Sequence, residues 1–527
     1  MNHLYKTIIA SAMLLASCVV GPDFKKPSAP DVKNYTNSDL PAKTASANVY
    51  GGQSQEFLPE KEVPYRWWTQ FGSESLNALV EQAIAANPDL KAADAALRQA
   101  KENYYAASGV LLPEADVKFS PTREKINTSS FGAHNPSGSI FTLYNSSVNV
   151  SYALDVFGGA KRALEGAGAE RDYQEFERRA AYLSLAANVV TAAIQEASLQ
   201  QQIKETKNII DIESKQLKLL KKQLALGAVT KTAVLQQEAT LAQTRTNLPP
   251  LEKQLAQQHN ALAVLSGKLP GDYENKIFDL ATLKLPAELP VSLPSNLVER
   301  RPDIMAAKER LHEASAAIGV ATSNMLPQLN LTGSYGSQTN NPGDMFTSGA
   351  QVWSFGGSVL QPLFHGGQLL HSKRATIAAY DKAAQQYQGT VLNAFKDVAD
   401  ALKALQFDAE ALAAQVNAEF SAKNSLDLAQ TQFSSGAISY PQLLDAQRTY
   451  QQARIGLVQA QAARLADTAA LFQSLGGSMQ DYEQPELEVA QNSEGSTNKK
   501  TNFISKIWQK IKSPLSNEAT AKMPEHE

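Results

Sequence analysis

PDLKAADAALRQAKENYYAASGVLLP (residues 88–113) and PDIMAAKERLHEASAAIGVATSNMLP (residues 302–327) are one segment written twice. Aligned without a gap, each residue of the second lies 214 positions after its partner. Pro88-Asp89-Leu90 answers Pro302-Asp303-Ile304. Ala92, Ala93, Leu97, Ala100 and Ala107 answer Ala306, Ala307, Leu311, Ala314 and Ala321, and Leu112-Pro113 answers Leu326-Pro327. Three more matches follow in the same order. Val156-Phe157-Gly158-Gly159 answers Leu363-Phe364-His365-Gly366-Gly367. Leu226-Gly227-Ala228-Val229-Thr230 answers Ser435-Gly436-Ala437-Ile438-Ser439. Leu262 and Gly267 answer Leu471 and Gly476. Chance yields one such match, not four in order, so the chain holds two structural repeats. We place them at residues 67–280 and 281–480.

Each repeat has the same grammar. A helix opens it, over Leu76–Leu112 and Asn296–Leu326. A β-like region follows, then a very long helix, then a second helix running back. No proline lies between Pro136 and Pro249 or between Pro362 and Pro441. An interior proline costs a helix about 3 kcal/mol, so its absence over such lengths carries weight. The span from Gly159 to Leu226 makes about 100 Å of helix at about 1.5 Å per residue, more than a compact domain needs. Val391, Phe395, Val398, Leu402, Leu405, Ala409, Leu412 and Val416 alternate spacings of four and three, and Leu241, Leu248, Leu255 and Leu262 recur every seven. These are coiled-coil seams.

The β regions, about 114–156 and 328–364, have period two. Ala115, Val117 and Phe119 alternate with Asp116, Lys118 and Ser120. Val148, Val150, Tyr152 and Leu154 alternate with Asn149, Ser151 and Ala153. Leu329, Leu331 and Tyr335 alternate with Asn330, Thr332 and Ser334, and Trp353, Phe355, Val359 and Leu363 share a parity. Strands of about 9–11 residues with one apolar face suit a transmembrane β-barrel, with Ser129–Ser139 and Gln338–Gly349 as external loops. Four strands do not close such a barrel, whose smallest members have about eight. An open sheet in lipid leaves edge groups unsatisfied, so several chains must share the barrel. Three chains would supply twelve strands; the strand count by itself also allows two or four.

The ends are separate. Residues 1–17 place Lys6 ahead of an apolar run from Ile8 to Ala16, the pattern of a signal peptide. The run ends in Leu15-Ala16-Ser17-Cys18, which resembles a bacterial lipobox, and Cys18 is the only cysteine of the 527 residues. That resemblance implies diacylglycerol on the thiol and an N-acyl chain on the new terminus. Val19 and Val20 follow without an Asp at the second position, which implies the outer membrane of a Gram-negative bacterium. No later apolar stretch reaches the roughly 20 residues of a spanning helix. Residues 18–66 include a Pro-, Ser-, Ala- and Asn-rich linker, about Ser28–Pro64, expected to be an extended tether. Residues 481–527 are polar, apart from Phe503-Ile504, Ile507-Trp508 and Ile511 interleaved with Lys506, Lys510 and Lys512, the pattern of a short basic amphipathic helix.

Net charge is −3, pI is about 6.2, and 19% of residues are charged. No basic stripe marks a nucleic-acid binder. His3, His134, His259, His312, His365, His371 and His526 are scattered, with no cysteine or acidic cluster beside the closest pair, His365 and His371. There is no Gly-x-Ser-x-Gly elbow and no Gly-x-x-x-x-Gly-Lys-Ser/Thr loop. The sequence offers no catalytic group and calls for no cofactor or metal beyond lipid on Cys18.

Several stretches resemble one family, the TolC-like outer-membrane efflux proteins, in the lipoprotein branch called NodT-type. They are Cys18-Val19-Val20-Gly21-Pro22-Asp23-Phe24 with Pro27, Trp67-Trp68 with Phe71, and Asn87-Pro88-Asp89-Leu90. The strongest is Glu299-Arg300-Arg301-Pro302-Asp303-Ile304, continued by Ile318-Gly319-Val320-Ala321 and Leu326-Pro327. Pro362-Leu363-Phe364 with Gly366-Gly367, and Leu443-Leu444-Asp445-Ala446-Gln447-Arg448, complete the set. The resemblance covers about residues 18–480. It implies an α+β membrane protein: a homotrimer whose twelve strands form a transmembrane β-barrel and whose helices form a long coiled-coil barrel beneath it. It further implies a passive efflux duct, loaded by a periplasmic adaptor and an inner-membrane pump of the RND type.

Two sites follow from the same resemblance. Gly227, Ala228, Val229 and Gly436, Ala437, Ile438 match the family's tip turns, which meet the adaptor. Asp445, with Pro441 and Leu444, matches the periplasmic gate, where three carboxylates around one axis would favour cations and bind divalent ions. Pro441 stands where the family often has a bulky apolar residue, so a second, hydrophobic constriction is not implied; proline there suits the first turn of the returning helix. A type I secretion or metal-ion efflux duct has the same fold and stays open as an alternative. So does a structural coiled-coil lipoprotein bridging envelope layers, although it leaves the four strands unexplained.

Overall fold

The computed structural model describes residues 19–32, 34–37, 40–59, 61–127, 138–273, 279–291 and 294–477. Cys18, the segment Phe503–Lys512 and most of the first expected loop lie outside them. Helices α1 (Glu74–Ala86) and α2 (Pro88–Gly109) lead into strands β2 (Glu114–Asn127) and β3 (Gly138–Leu154). Helix α3 (Gly159–Ala225) runs away from the sheet and α4 (Lys231–Leu265) returns. The second repeat reproduces this with α5 (Pro294–Arg300), α6 (Pro302–Ser323), β5 (Gln328–Thr339), β6 (Gln351–Leu360), α7 (Gln368–Ser434) and α8 (Tyr440–Ser474). Helices α3 and α7 have 67 residues each, and α4 and α8 have 35 each.

Three sequence expectations need correction. The opening helix of each repeat is two helices. Pro88 starts α2, with the Asn87 side chain accepting from the amides of Asp89 (2.9 Å) and Leu90 (3.1 Å); Pro302 likewise starts α6. Proline lacks the amide that a continuing helix needs but fits a first turn, so it divides the element. Helix α4 runs through Pro249 and Pro250, both exposed, so it does not lie in a proline-free stretch. Strands β2 and β3 have 14 and 17 residues, longer than expected, while β6 ends before Leu363.

The four long strands form one antiparallel sheet in the order β2-β3-β5-β6. Its register gathers every alternation onto one face. Val117, Val148, Tyr335 and Trp353 form one cross-strand row, and Ala115, Val150, Gly333 and Phe355 the next. Because side chains alternate, the opposite face carries Asp116, Asn149, Ser334 and Ser354. Among the described residues nothing covers the apolar face, where Trp353 is 77% and Phe355 78% exposed. Among the described residues no strand pairs with the outer edges of β2 and β6.

The core sits midway along the helices. Trp67, Trp68 and Phe71 are buried against α3 and α8, with Trp67 5.5 Å from the Phe472 ring. The seam Val391, Val398, Leu402, Leu405, Ala409 and Leu412 is buried as its spacing requires, with Phe395 packed against the core. Arg301 ties three helices at this level. Its guanidinium donates to the carbonyls of Ala394 (3.2 Å) and Ser474 (3.1 Å) and to Asp397 (2.7 Å).

The expected tether is docked rather than free. Val20 donates its amide to Phe157 (3.0 Å), and Phe24 stacks on His312 at 4.3 Å. Further along, the buried Arg464 on α8 holds Thr44, Gly51 and Gln53. Strand β1 (Glu56–Pro59) then pairs in parallel with β4 (Glu288–Val291).

Candidate functional site: the hairpin tips

Both long hairpins reverse through the same turn. Gly227 has φ 74° and Gly436 has φ 75°. Both values lie in the left-handed region that suits glycine. Ala228 donates its amide to Gln223 (2.9 Å) and Gly227 to Leu224 (2.9 Å), closing the end of α3. Ala437 donates to Gln432 (2.8 Å) and Gly436 to Phe433 (3.0 Å), closing α7 in the same way. These bonds satisfy carbonyls that a helix end would otherwise leave without partners. The returning helices are capped at once. The Thr230 hydroxyl accepts from the Ala233 amide (3.3 Å). Before α8, Gln442 Oε1 accepts from the Ser439 amide (2.8 Å), as in a capping box. Pro441 lies in the first turn of α8, where its missing amide costs nothing.

Behind the turns, the two hairpins share a core of Leu220, Ala233, Val234, Ala429, Tyr440, Leu443 and Leu444, flanked by Val229 and Ile438. Leu444 is therefore buried between hairpins, while Asp445 and Pro441 are exposed. Gly227, Ala228, Gly436 and Ala437 are exposed at the extreme end, and Val229 and Ile438 are half-buried under them.

A polar chain that sequence reasoning missed joins the hairpins above this core. The Tyr440 hydroxyl donates to Gln237 Oε1, Gln237 Nε2 donates to the Glu213 carbonyl (3.1 Å), and the Thr244 hydroxyl donates to Glu213 Oε1 (3.1 Å). Burial pushes the Glu213 carboxyl above the usual carboxylate range, opposed by the Thr244 hydrogen bond and the Arg448 charge. Burial, then the nearby Glu213, also raises Tyr440. On a helix these residues read as solvated polar positions; only the partner hairpin reveals them as a buried network. Arg448, one turn beyond Asp445, lines a cleft of about 490 Å³ between α4 and α8 with Gln243, Gln452 and Gln459.

A second buried pair lies further up the first hairpin. Glu196 is fully buried on α3 and meets His259 Nε2 on α4 at 2.9 Å. Burial lifts Glu196 to about 7, with the Gln200 hydrogen bond opposing, and burial also lowers His259; in both, loss of water disfavours the charged form. Among the described residues no group of side chains is arranged to hold a metal ion, and no helix is long and apolar enough to cross a membrane.

The arrangement offers two polar-ended hairpins, a small core between them and an exposed carboxylate beside it. Comparison with known proteins agrees with a conduit. The chain resembles the pyoverdine export outer membrane protein OpmQ of Pseudomonas aeruginosa, 29% identical over 422 residues, covering 80% of this chain and 88% of the relative. It resembles the cation efflux system protein CusC of Escherichia coli, 26% identical over 473 residues, covering 89% and 97%. Its structure superposes on the outer-membrane channel OprN with a TM-score of 0.78 at 26% identity, covering 88% of this chain and 99% of that one. The family model described as outer membrane efflux protein matches residues 79–268 and 293–477, one segment in each repeat. The chain belongs to the outer membrane efflux protein family and is a channel component rather than an enzyme.

Proposed function

We propose that this chain is one third of a trimeric duct that carries small molecules out through the outer membrane for a tripartite efflux system. The observation that carries the reading is the four-stranded sheet. From the Leu154–Leu329–Val359 row to the Val117–Trp353 row one face is apolar, among the described residues no strand pairs with its two outer edges, and the sheet is set on two 67-residue helices. Backbone groups in lipid must pair, and joining β6 of one chain to β2 of the next satisfies them. Three chains of four strands make a twelve-stranded barrel, and their long helices continue it below the membrane.

In this reading Cys18 carries the lipid, the turns at Gly227–Val229 and Gly436–Ile438 meet the periplasmic adaptor, and an inner-membrane pump of the RND type supplies the energy. Asp445 and its two symmetry mates ring the closed aperture, exposed on a helix whose first turn holds Pro441. Leu444 acts on the gate indirectly, by packing the hairpins together. The relatives are named for pyoverdine and for cations. A passive duct shared by such different cargoes leaves the choice of cargo to the pump, and drugs belong to the same class.

The gate is tested by single-channel recording of the purified protein in planar bilayers. Asp445→Ala should raise conductance and weaken block by calcium on the gate side. Unchanged conductance and unchanged block would remove Asp445 from the gate.

A further inference from the structure

The sheet sorts its charges by face. Strands β3, β5 and β6 contain no Asp, Glu, Lys or Arg. Strand β2 holds them all: Glu114, Asp116, Lys118, Arg123, Glu124 and Lys125. Its pairing with β3 runs without a bulge from Glu114 opposite Ser151 to Asn127 opposite Gly138. Even-numbered residues of β2 therefore share one face and odd-numbered residues the other. Glu114, Asp116, Lys118 and Glu124 fall on the polar face. Arg123 and Lys125 fall on the face of Val117 and Phe119, and both are exposed. Among the described residues of the sheet, the apolar side thus carries two charges, both positive.

Their height is equally specific. Helices α2 and α3 adjoin the sheet at the Glu114 and Leu154 end, so the Asn127 and Gly138 end points away from the helices. A strand crosses the hydrocarbon of a bilayer in about 9–11 residues. Counted outward from Leu154 along β3, that crossing ends at Tyr144, opposite Pro121. Tyr144 and Phe119, the latter 60% exposed, stand at this outer boundary, where membrane barrels carry aromatic girdles. Arg123, opposite Thr142, occupies the first row beyond it, and Lys125, opposite Ile140, the next. Glu124 between them points to the other face, so the strand supplies no carboxylate beside either cation.

We infer that Arg123 and Lys125 bind the phosphates of a phosphorylated glycolipid in the outer leaflet, a lipid of the lipid A type. The inference rests on the barrel reading proposed above, which sets the apolar side against lipid and the helices below the membrane. A guanidinium can fork across two phosphate oxygens, and an ammonium adds a point charge. Both side chains project to the side that faces lipid, at the level where hydrocarbon gives way to headgroups. The acids of β2 project into the lumen instead, where they do not repel such a lipid at close range. Because β2 is an edge strand, a trimer has three of these sites, one at each seam between protomers.

The test is native mass spectrometry of the full chain, extracted in mild detergent and titrated with bisphosphorylated lipid A. The trimer should retain up to three molecules. The Arg123→Gln/Lys125→Gln chain should need about 30-fold more lipid to do so, the loss expected of two cations at an anionic surface. Arg123→Lys/Lys125→Arg keeps both charges and should retain most of the binding. Lys118→Gln, on the lumen face, should leave it unchanged. Dephosphorylated lipid A should bind the unaltered trimer as weakly as lipid A binds the double Gln variant. Equal retention by the unaltered and double Gln trimers, or an equal loss in Lys118→Gln, overturns the site while the trimer stands. Phosphatidylglycerol held as tightly as lipid A overturns the glycolipid as its occupant. Absence of a trimer overturns the proposed function and, with it, the lipid-facing wall on which the site lies.

Discussion

At Gly227 and Gly436 an added Cβ would meet nothing within 4 Å, so alanine there is opposed by backbone conformation alone. A left-handed non-glycine residue costs about 1–2 kcal/mol. Gly436→Ala should therefore loosen the last turn of α7 by about that amount, read as faster amide exchange at Phe433–Ala437 with the rest of the helix unchanged. Glu196 carries a sign that can be worked out. Its folded pKa, about 7, lies above the ordinary carboxylate value of 4.5. Between those values the folded chain holds a proton that the unfolded chain has lost, so stability is full below about pH 4.5 and falls as pH rises to about 7. His259, lowered by burial, adds a slope of opposite sign just below its ordinary value. Glu196→Gln should flatten the fall, seen in helical melting followed at several pH values. Neither Glu196 nor Glu213 is legible as buried in the sequence, because a polar residue on a helix declares its burial only through the neighbour that covers it. The glycine turns are legible, because a left-handed reversal leaves few other choices of residue.

Strands are legible by parity, and the sheet keeps it: Val117, Val148, Tyr335 and Trp353 line up across four strands as their alternation requires. Each residue of a strand exchanges faces with the next, so one misplaced register would put Asn149 among the tyrosines. The breaks at Asn87 and Arg301 are harder to read. A proline after an apolar run marks the end of one helix and the start of another equally well, and only the cap geometry separates the cases. The four-residue strands β1 and β4 are too short to carry a period. The docking of the tether depends on Arg162 and Arg464, more than a hundred residues away from the segments they hold. The two sheet faces should respond differently to charge. Phe355→Arg puts a cation on the apolar face, where the cost in a bilayer is about 2–4 kcal/mol near the midplane. It should sharply reduce assembled protein in outer-membrane fractions, whereas Ser334→Asp on the polar face should leave assembly near normal and alter conductance instead.

Across the whole molecule, the duplicated segment at 88 and 302 determines most of the architecture. Two copies of helix, strand pair and long hairpin give a unit with a helical face and a strand edge on each side. Among the described residues nothing in one chain satisfies those edges, and the exposed Trp353 and Phe355 face has no cover within it. The number of chains that close the barrel is therefore the decisive quantity. Native mass spectrometry of the protein extracted from membranes in mild detergent measures it directly. It should give a trimer whose chains begin at Cys18 and carry the mass of the attached lipid. A monomer or dimer, beginning elsewhere and without lipid, would contradict the shared twelve-stranded barrel and the anchor together.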